Sequence, residues 1–306
     1  MFLNSNEVKY DITMLNDKSA YNMRYRHALI LSLNASGHRV RSLGIFDSWN
    51  LIATFYLILF VNRTDLIIAS NIKTNILCLF LIWRKRVQIL NGLGRMRASR
   101  TFRLVLMCAM KLGSKNALFY VQNYADYRYL KRFSTICERI YWSPGSGGTK
   151  RLVSTESSIG IISRPTKLRM QLASIRKFME EFPEYKQIKI IGVEEHSLFD
   201  DQPYKVDCLG YLEQSKIFES IDSLVIPVGY GEGVPHVLVD GIQSGVNVFI
   251  QKIDVIRFGL RRLYDLNVIE IRPGWFTVRS KDGGCTSISA DTIVAQIKSG
   301  CDRLNF

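Results

Sequence analysis

The sequence predicts an α/β protein built from two doubly wound domains that face a cleft. Two observations predict this fold: short β-rich apolar runs alternate with stretches of helical periodicity, and a glycine-rich turn cluster divides that alternation into two similar halves. Such alternation is typical of parallel sheets covered by helices on both faces. With 306 residues, of which 47% are apolar and 22% charged, the chain is globular and long enough for two cores.

In the first half, strands and helices follow one another without an interrupting proline before Pro144. Helices are indicated over residues 21–35, ending at Ser36-Gly37, and over residues 102–112, ending at Gly113. Six strands are expected in this half: 9–15, 39–46, 65–70, 86–91, 117–122 and 139–142.

The segment 143–148, Ser-Pro-Gly-Ser-Gly-Gly, has little side-chain bulk and is typical of a loop or hinge. We therefore expect one domain over residues 1–148 and another over 149–306. In the second domain the helix 168–182 carries apolar residues at three- and four-residue spacing, which predicts a buried face. The remaining elements expected there are strands 159–163, 188–192, 206–210, 223–228 and 247–251 and helices 214–220 and 235–244.

Positive charge is concentrated in the first half of the chain. The net charge is +14, yet residues 1–150 hold 22 basic and 7 acidic side chains, which leaves the other half near neutral. An excess of this kind predicts an anionic partner for the first domain, either a membrane surface or a nucleic acid. No recognisable nucleic-acid-binding module supports the second alternative.

Six widely spaced cysteines without a C-x-x-C pair indicate neither a zinc site nor a disulfide framework, and they favour a reducing compartment. The most apolar stretches, 51–61 and 76–83, are shorter than the roughly 20 residues that span a bilayer. Each is interpreted as a buried helix, with a segment lying in the membrane interface as the alternative.

The most informative motif runs from Pro227 to Gly245. It begins where an apolar strand ends, crosses a glycine-rich turn that contains Glu232, and enters a helix with Pro235 in its first turn. The amides at such a helix start can receive a phosphate or a sugar hydroxyl. Asp240 follows Glu232 by eight positions, so the two carboxylates can contact different parts of one elongated ligand.

This motif resembles the donor-binding signature of the family-four retaining glycosyltransferases of GT-B fold, which consists of two Rossmann-like domains. The resemblance is closest to the bacterial polysaccharide and lipopolysaccharide type, and it covers roughly residues 60–250. Shorter segments resemble the same family in order and spacing: 65–71, 91–94, 121–126, 144–147, 162–164 and 209–211.

The resemblance implies a role for each matching residue. Glu232 would contact the donor hexose, and Arg164 with Arg169 would neutralise the donor diphosphate; these three are the expected catalytic residues. Asp240 would hold the ribose, and the other donor-binding residues would be Gly231, Gly233, Val234, Pro235 and Lys167. On the acceptor side the resemblance implies Asn91, Gly92, Gly94 and Asn123.

The function implied is a metal-independent hexosyltransferase in cell-surface polysaccharide synthesis, with a nucleotide sugar, expected to be a UDP sugar, as substrate and no cofactor. The expected acceptor is a lipid-linked glycan. The expected location is peripheral on the cytoplasmic face of the inner membrane, bound through the basic first domain.

Two alternatives remain open at this point. One is a nucleotide-sugar epimerase or hydrolase of the same fold. The other is an inactive basic scaffold that binds lipid or nucleic acid, because Asp240 stands where the family has glutamate and residues 16–19 lack the family's glycine-rich loop.

Overall fold

The computed structural model describes residues 9–47, 65–79, 81–93, 99–133, 136–144, 152–155, 157–194, 199, 202–213, 216–228, 233–263 and 265–281. These residues form two compact units, the first extending to residue 144 and the second beginning at residue 152. Each unit contains one sheet.

The sheet of the first unit has six parallel strands in the order β2-β1-β3-β4-β5-β6. Its strands are β1 (Asp11–Asn16), β2 (Arg39–Gly44), β3 (Leu66–Ala69), β4 (Arg86–Leu90), β5 (Ala117–Val121) and β6 (Ile140–Trp142). The helices of this unit are α1 (Ser19–Tyr25), α2 (His27–Ala35), α3 (Ile72–Leu79), α4 (Arg100–Gly113) and α5 (Tyr124–Phe133).

Both faces of this sheet are buried at its central strands β1, β3, β4 and β5, because alternate residues of these strands belong to different clusters. In β1, Met14 packs with Leu29 and Leu33 of α2, whereas the next residue, Leu15, packs with Cys78 of α3. Met110 of α4 belongs to a third cluster on the β4 and β5 strands. Helices on both faces of a parallel sheet make this unit doubly wound, as predicted.

The predicted helix 21–35 is wrong in its continuity, since two helices meet there at Arg26. This residue has φ −128° and ψ 10°, and its side chain is 1% exposed. The interruption therefore coincides with an arginine turned into the interior of the unit, which helical periodicity alone did not reveal.

The stretch 76–83 is also corrected, because α3 ends at Leu79 and the turn after it leaves Ile82 and Trp83 exposed. A buried helix thus fails for the second part of this stretch, and the stretch 51–61 lies outside the described residues. A bilayer-spanning helix is not found in the part of the chain that the structure describes.

The sheet of the second unit has seven strands in the order β12-β13-β11-β10-β7-β8-β9. The five strands from β11 to β9 are parallel, and β13 is antiparallel to both of its neighbours. The strands are β7 (Ile159–Ile162), β8 (Gln187–Ile191), β9 (Lys205–Cys208), β10 (Ser223–Ile226), β11 (Asn247–Gln251), β12 (Leu266–Arg272) and β13 (Trp275–Ser280).

Helices cover this sheet as well: α6 (Pro165–Glu181), α7 (His236–Ser244) and α8 (Lys252–Phe258). The predicted apolar face of α6 is confirmed, with Ile175 and Met179 buried against β7, β8 and the ring of Phe249. Gly241 brings α7 close to the sheet, since a Cβ there would lie 3.2 Å from Leu224 and 3.5 Å from Val248. The predicted helix 214–220 is instead a 3-10 turn at Ile217–Ser220.

Candidate functional site

The chain reverses its direction across the second sheet between β7 and β10. From β7 it proceeds to β8 and β9 on one side, and it then returns to β10 and β11 on the other. Because all five strands are parallel, the segments that leave β7 and β10 emerge at the same edge, side by side. In open α/β sheets, ligands bind outside the carboxyl ends of the strands at this switch point.

The segment that leaves β7 brings positive charge to this edge. Arg164 is exposed in extended conformation (φ −109°, ψ 151°), and Pro165 begins α6 directly after it. The Arg164 carbonyl accepts the amides of Lys167 and Leu168 at 2.9 Å each, which fixes the start of the helix. Lys167 is half-buried in the first turn, and Arg169 is exposed one turn further along α6.

Ser174 of α6 fixes the ends of the two neighbouring strands. Its hydroxyl oxygen accepts the Val228 amide at 3.0 Å, just after β10, and the side-chain amide of Gln251 at 3.2 Å, at the end of β11. Ser163 is held from the same helix, because its hydroxyl donates to the side-chain oxygen of Gln171 at 2.6 Å. The strand ends next to Arg164 are therefore positioned by α6.

The turn after β10 is described from Gly233 onward, so Gly231 and Glu232 lie outside the described residues. Gly233 and Val234 are buried. Pro235 was expected inside the first helical turn, but it is the extended residue before α7, with φ −62° and ψ 134°. Its carbonyl accepts the amides of Leu238 and Val239 at 3.1 and 3.4 Å, as the residue that caps a helix does.

Asp240 is half-buried one turn into α7, and its carbonyl accepts the Ser244 hydroxyl at 2.7 Å. Thus α6 and α7 both begin at the edge where β7 and β10 end. The helix dipole is positive at both starts, although Pro165 has no N–H and the amides of Lys167 and Leu238 already donate to the carbonyls of Arg164 and Pro235. Two helix starts and Arg164 therefore make this edge suited to an anion.

Two residues at this edge were absent from the sequence-based site. Gly192, after β8, has φ +93°, and a Cβ on it would lie 2.3 Å from the Ser163 carbonyl oxygen, so it supports the residue before Arg164. Its position at the end of a predicted strand was the available signal.

Asp254 lies in the first turn of α8 and is 2% exposed. Burial raises its pKa to about 6, although Arg257 at 3.7 Å opposes that rise.

The switch point of the first sheet lies between β1 and β3, and it holds a network of amides. The Asn16 side-chain amide donates to the Asn22 oxygen at 3.0 Å and to the Ser70 hydroxyl oxygen at 2.9 Å. Arg26 donates to the side-chain oxygen of Asn91 at 2.7 Å and to the Ser70 carbonyl at 3.4 Å. Burial lowers the pKa of Arg26 to about 10.

The expected acceptor-side residues have different surroundings. Asn91 and Gly92 are half-buried, and the Asn91 oxygen is engaged by Arg26. Asn123 is 2% exposed, and its oxygen accepts the amides of Ala125 and Asp126 at the start of α5. Gly94 lies outside the described residues. Among those described, no group of three or more His, Cys, Asp or Glu side chains is arranged to hold a metal ion.

No family model and no curated protein matches this chain. Solved structures similar to it include one described as a UDP-N-acetylglucosamine 2-epimerase from Listeria monocytogenes (10% identity, 80% of this chain and 79% of that chain, TM-score 0.49). Another is the spinosyn forosaminyltransferase SpnP (11% identity, 80% of this chain and 80% of that chain, TM-score 0.44). A third is the calicheamicin glycosyltransferase CalG4 (12% identity, 78% of this chain and 79% of that chain, TM-score 0.42). At these TM-scores, the likeness assigns no activity to the chain.

The strand orders by themselves define the class of fold. The second sheet runs 3-2-1-4-5 through its parallel strands, counted from β7, and the first runs 2-1-3-4-5-6. Both orders belong to doubly wound, Rossmann-like folds. The predicted fold class is confirmed in each unit.

Proposed function

We propose that the chain is a retaining glycosyltransferase that transfers a hexose from a nucleotide sugar to an acceptor hydroxyl. The observation that carries the proposal is the exposed Arg164 at the switch point of the second sheet, directly before α6 and at the edge where α7 also begins. A cation together with the positive ends of two helix dipoles is suited to binding a diphosphate.

The donor diphosphate would be held by Arg164 with Lys167, and Arg169 would contribute positive charge from the next turn. A guanidinium presents a planar fork of donors that matches two phosphate oxygens. When the bond between sugar and nucleotide breaks, negative charge grows on the leaving diphosphate, and donors already in place stabilise it. We therefore propose that these basic residues serve where other transferases use a metal ion.

The ends of the donor would be bound by the motif that resembles family-four enzymes. In this proposal Glu232 contacts the hexose, Asp240 contacts the ribose hydroxyls, and the buried Gly233 and Val234 hold the backbone near the sugar. Asp240 is half-buried one helical turn into α7, on a helix that begins at the same edge as Arg164. The nucleoside is proposed to be uridine.

Retention follows from attack on the face that the leaving group departs from. The anomeric carbon loses its bond to the diphosphate oxygen and gains a bond to the acceptor oxygen, and the acceptor proton passes to the diphosphate. The proposed acceptor is a lipid-linked glycan at the cytoplasmic face of the inner membrane. The basic composition of the first half supports an acceptor of this class.

The diphosphate assignment is tested with Arg164→Ala. Charge-assisted hydrogen bonds contribute about 1.5–3 kcal/mol each, so we expect UDP and UDP sugars to bind about tenfold to a hundredfold more weakly by calorimetry. Because Arg164 is exposed, its removal should change the free energy of unfolding by less than about 0.5 kcal/mol. Arg176→Ala, an exposed arginine in the middle of the same helix, is the matched control and should bind as the parent does.

Turnover separates transfer from the alternatives. Labelled donor should give a glycolipid when lipid acceptor is present, with the anomeric configuration of the donor kept. Free sugar or an epimerised nucleotide sugar as the sole product would contradict transfer. Equal binding of nucleotide diphosphates by the parent and by Arg164→Ala would contradict the assignment of the diphosphate site to Arg164.

A further inference from the structure

The segment from residue 66 to residue 125 contains ten basic side chains and no acidic one. It includes α3, the turn after it, β4 and α4. In a folded domain, basic residues are ordinarily interspersed with acidic ones, so this segment carries an unusual excess of positive charge. Lys73 is paired with Asp17 at 3.5 Å and Arg86 is buried, so the exposed cations of α4 and the turn after it carry the argument. They favour a partner with dense negative charge.

Helix α4 is apolar on two opposite sides. On the inner side, Phe102, Leu106 and Met110 pack into the core cluster of β4 and β5. On the outer side, Leu104 is 67% exposed and Leu112 is 79% exposed, and Val105 lies in the same stripe. Because the inner side alone fills the core, the outer stripe has no packing role within the described part of this unit.

The turn after α3 extends this outer stripe. Arg86 is fully buried and donates to the carbonyls of Leu81 and Gly113, which joins the turn to the end of α4. Asn116 donates to the Ile82 carbonyl at 3.0 Å. Ile82 and Trp83, which is 59% exposed, are thereby held next to the end of the helix that carries Leu112.

Cations flank the apolar residues. Arg100 and Lys111 are exposed on α4, and Lys115 is exposed in the turn that follows it. We define the docking surface by its five apolar and three basic members: Ile82, Trp83, Leu104, Val105, Leu112, Arg100, Lys111 and Lys115.

We propose that the docking surface binds an anionic lipid bilayer, with its apolar residues in the interface and its cations at the headgroups. A large exposed apolar patch marks an interaction site. Aliphatic side chains and a tryptophan rimmed by lysine and arginine match the layered chemistry of a bilayer surface. A nucleic acid would use the charges but has no apolar layer for Leu104 and Leu112.

This inference assigns residues to the membrane contact that the proposed lipid-linked acceptor requires, and it can be tested apart from the proposed donor site. The docking surface belongs to the first unit, and the proposed diphosphate residues belong to the second. Lipid binding can therefore be measured on a protein whose donor site is inactive, and donor binding can be measured without lipid.

The test is cosedimentation of the full-length chain with two kinds of vesicle. One is phosphatidylcholine alone, and the other contains about 30 mol% phosphatidylglycerol, which makes its surface anionic. We expect tight binding only to the anionic vesicles, weakening as salt is raised. Leu104→Ser with Leu112→Ser should lower the partition coefficient roughly tenfold or more. Lys111→Ala with Lys115→Ala should lower it about fivefold for each cation.

Matched controls use residues of the second unit. Ile253 and Ile256 are comparably exposed on α8, and their replacement by serine should leave vesicle binding unchanged. Tryptophan emission should shift to shorter wavelength on binding, and Trp83→Phe should remove most of that shift. Circular dichroism and UDP affinity without lipid should match the parent in every variant.

Three results would overturn the proposal. Equal binding to neutral vesicles would contradict the electrostatic part, and binding unaffected by the α4 variants would place the lipid contact elsewhere. If instead the parent were a dimer that Leu104→Ser with Leu112→Ser made monomeric, without any effect on vesicles, the surface would be an interface between copies. Loss of UDP binding alone would leave this inference intact and count against the proposed function.

Discussion

At the switch point of the first sheet, the Asn16 side-chain amide donates to both Asn22 and Ser70. The buried Arg26 joins this network through the Ser70 carbonyl and also donates to Asn91. At the switch point of the second sheet, the arginine is exposed, and the neighbouring strand continues into a glycine-rich turn. Both arginines lie at the switch point of a parallel sheet, where ligands of such folds bind. Arg26, however, is bonded to residues of its own unit, whereas Arg164 is exposed.

The difference shows that topology supplies a polar edge but does not by itself make a binding site. In the first unit, most side-chain donors at the edge form hydrogen bonds to acceptors of the same unit, so this edge has a structural role. In the second unit, Arg164 is exposed directly before α6, and α7 begins at the same edge, so this edge is suited to an anion. We therefore give Arg26 a structural role, and ligand binding by Arg164 stays a prediction.

The largest expected effect tests the structural role of Arg26. Arg26→Ala removes the bonds to Asn91 and Ser70 and leaves a cavity, so we expect the free energy of unfolding to fall by about 3–5 kcal/mol. Arg26→Met fills most of the volume without a buried charge and should be less destabilising by at least about 1 kcal/mol. Urea unfolding measures both. UDP affinity equal to the parent's is expected, and a loss of UDP binding in the folded variants would break the comparison.

Gly192→Ala tests whether the β8 end supports the ligand-binding edge. The new Cβ would meet the Ser163 carbonyl in a left-handed backbone, so we expect destabilisation by about 2–4 kcal/mol together with weaker UDP binding. The control is Gly245→Ala, with φ +84° and no atom within 4 Å, which should cost about 1 kcal/mol and leave UDP affinity unchanged. Identical effects of the two substitutions would remove the support assigned to Gly192.

The smallest expected effect on stability concerns Asp254, the buried carboxyl group at the strand ends of the second sheet. Burial raises its folded-state pKa to about 6 from the ordinary 3.8, so the folded protein keeps this proton at pH values where the unfolded chain has lost it. Its contribution to stability is therefore full below pH 4 and is lost as the pH rises through 6.

Relative to Asp254→Asn, the parent should lose about 1–3 kcal/mol of stability between pH 4 and pH 7. Urea unfolding at pH 4, 5, 6 and 7 measures this difference. Parallel stability curves for the two proteins would show that Asp254 does not titrate in this range.

Much of each sheet could be predicted because buried parallel strands are continuous apolar runs. Strand 247–251 was predicted to the residue, and the other predicted strands differ from the structure by at most two residues at either end. The hairpin of β12 and β13 was absent from the predicted elements, although Pro273-Gly274 between two alternating runs signals a turn. Helices α5 and α8 were also absent from them, and only the second half of α3 was anticipated, as part of the helix expected over 76–83.

Within the candidate site, Arg164 could be placed from its position after a strand and before a proline. Pro235 was assigned one position too far into its helix, because proline suits both the cap and the first turn, and only its ψ of 134° separates them. The roles of Glu232, Asp240 and the acceptor-side residues stay predictions that rest on the resemblance.

The sequence by itself determined the alternation of strands and helices, the separation of charge between the halves and the apolar face of α6, because each depends on neighbours within a few residues. Tertiary structure alone decided that Arg26 is interior, that Gly192 lies against Ser163 and that α4 keeps an exposed apolar stripe. Each of these depends on which strands pair, and strand pairing joins residues that the local pattern does not relate.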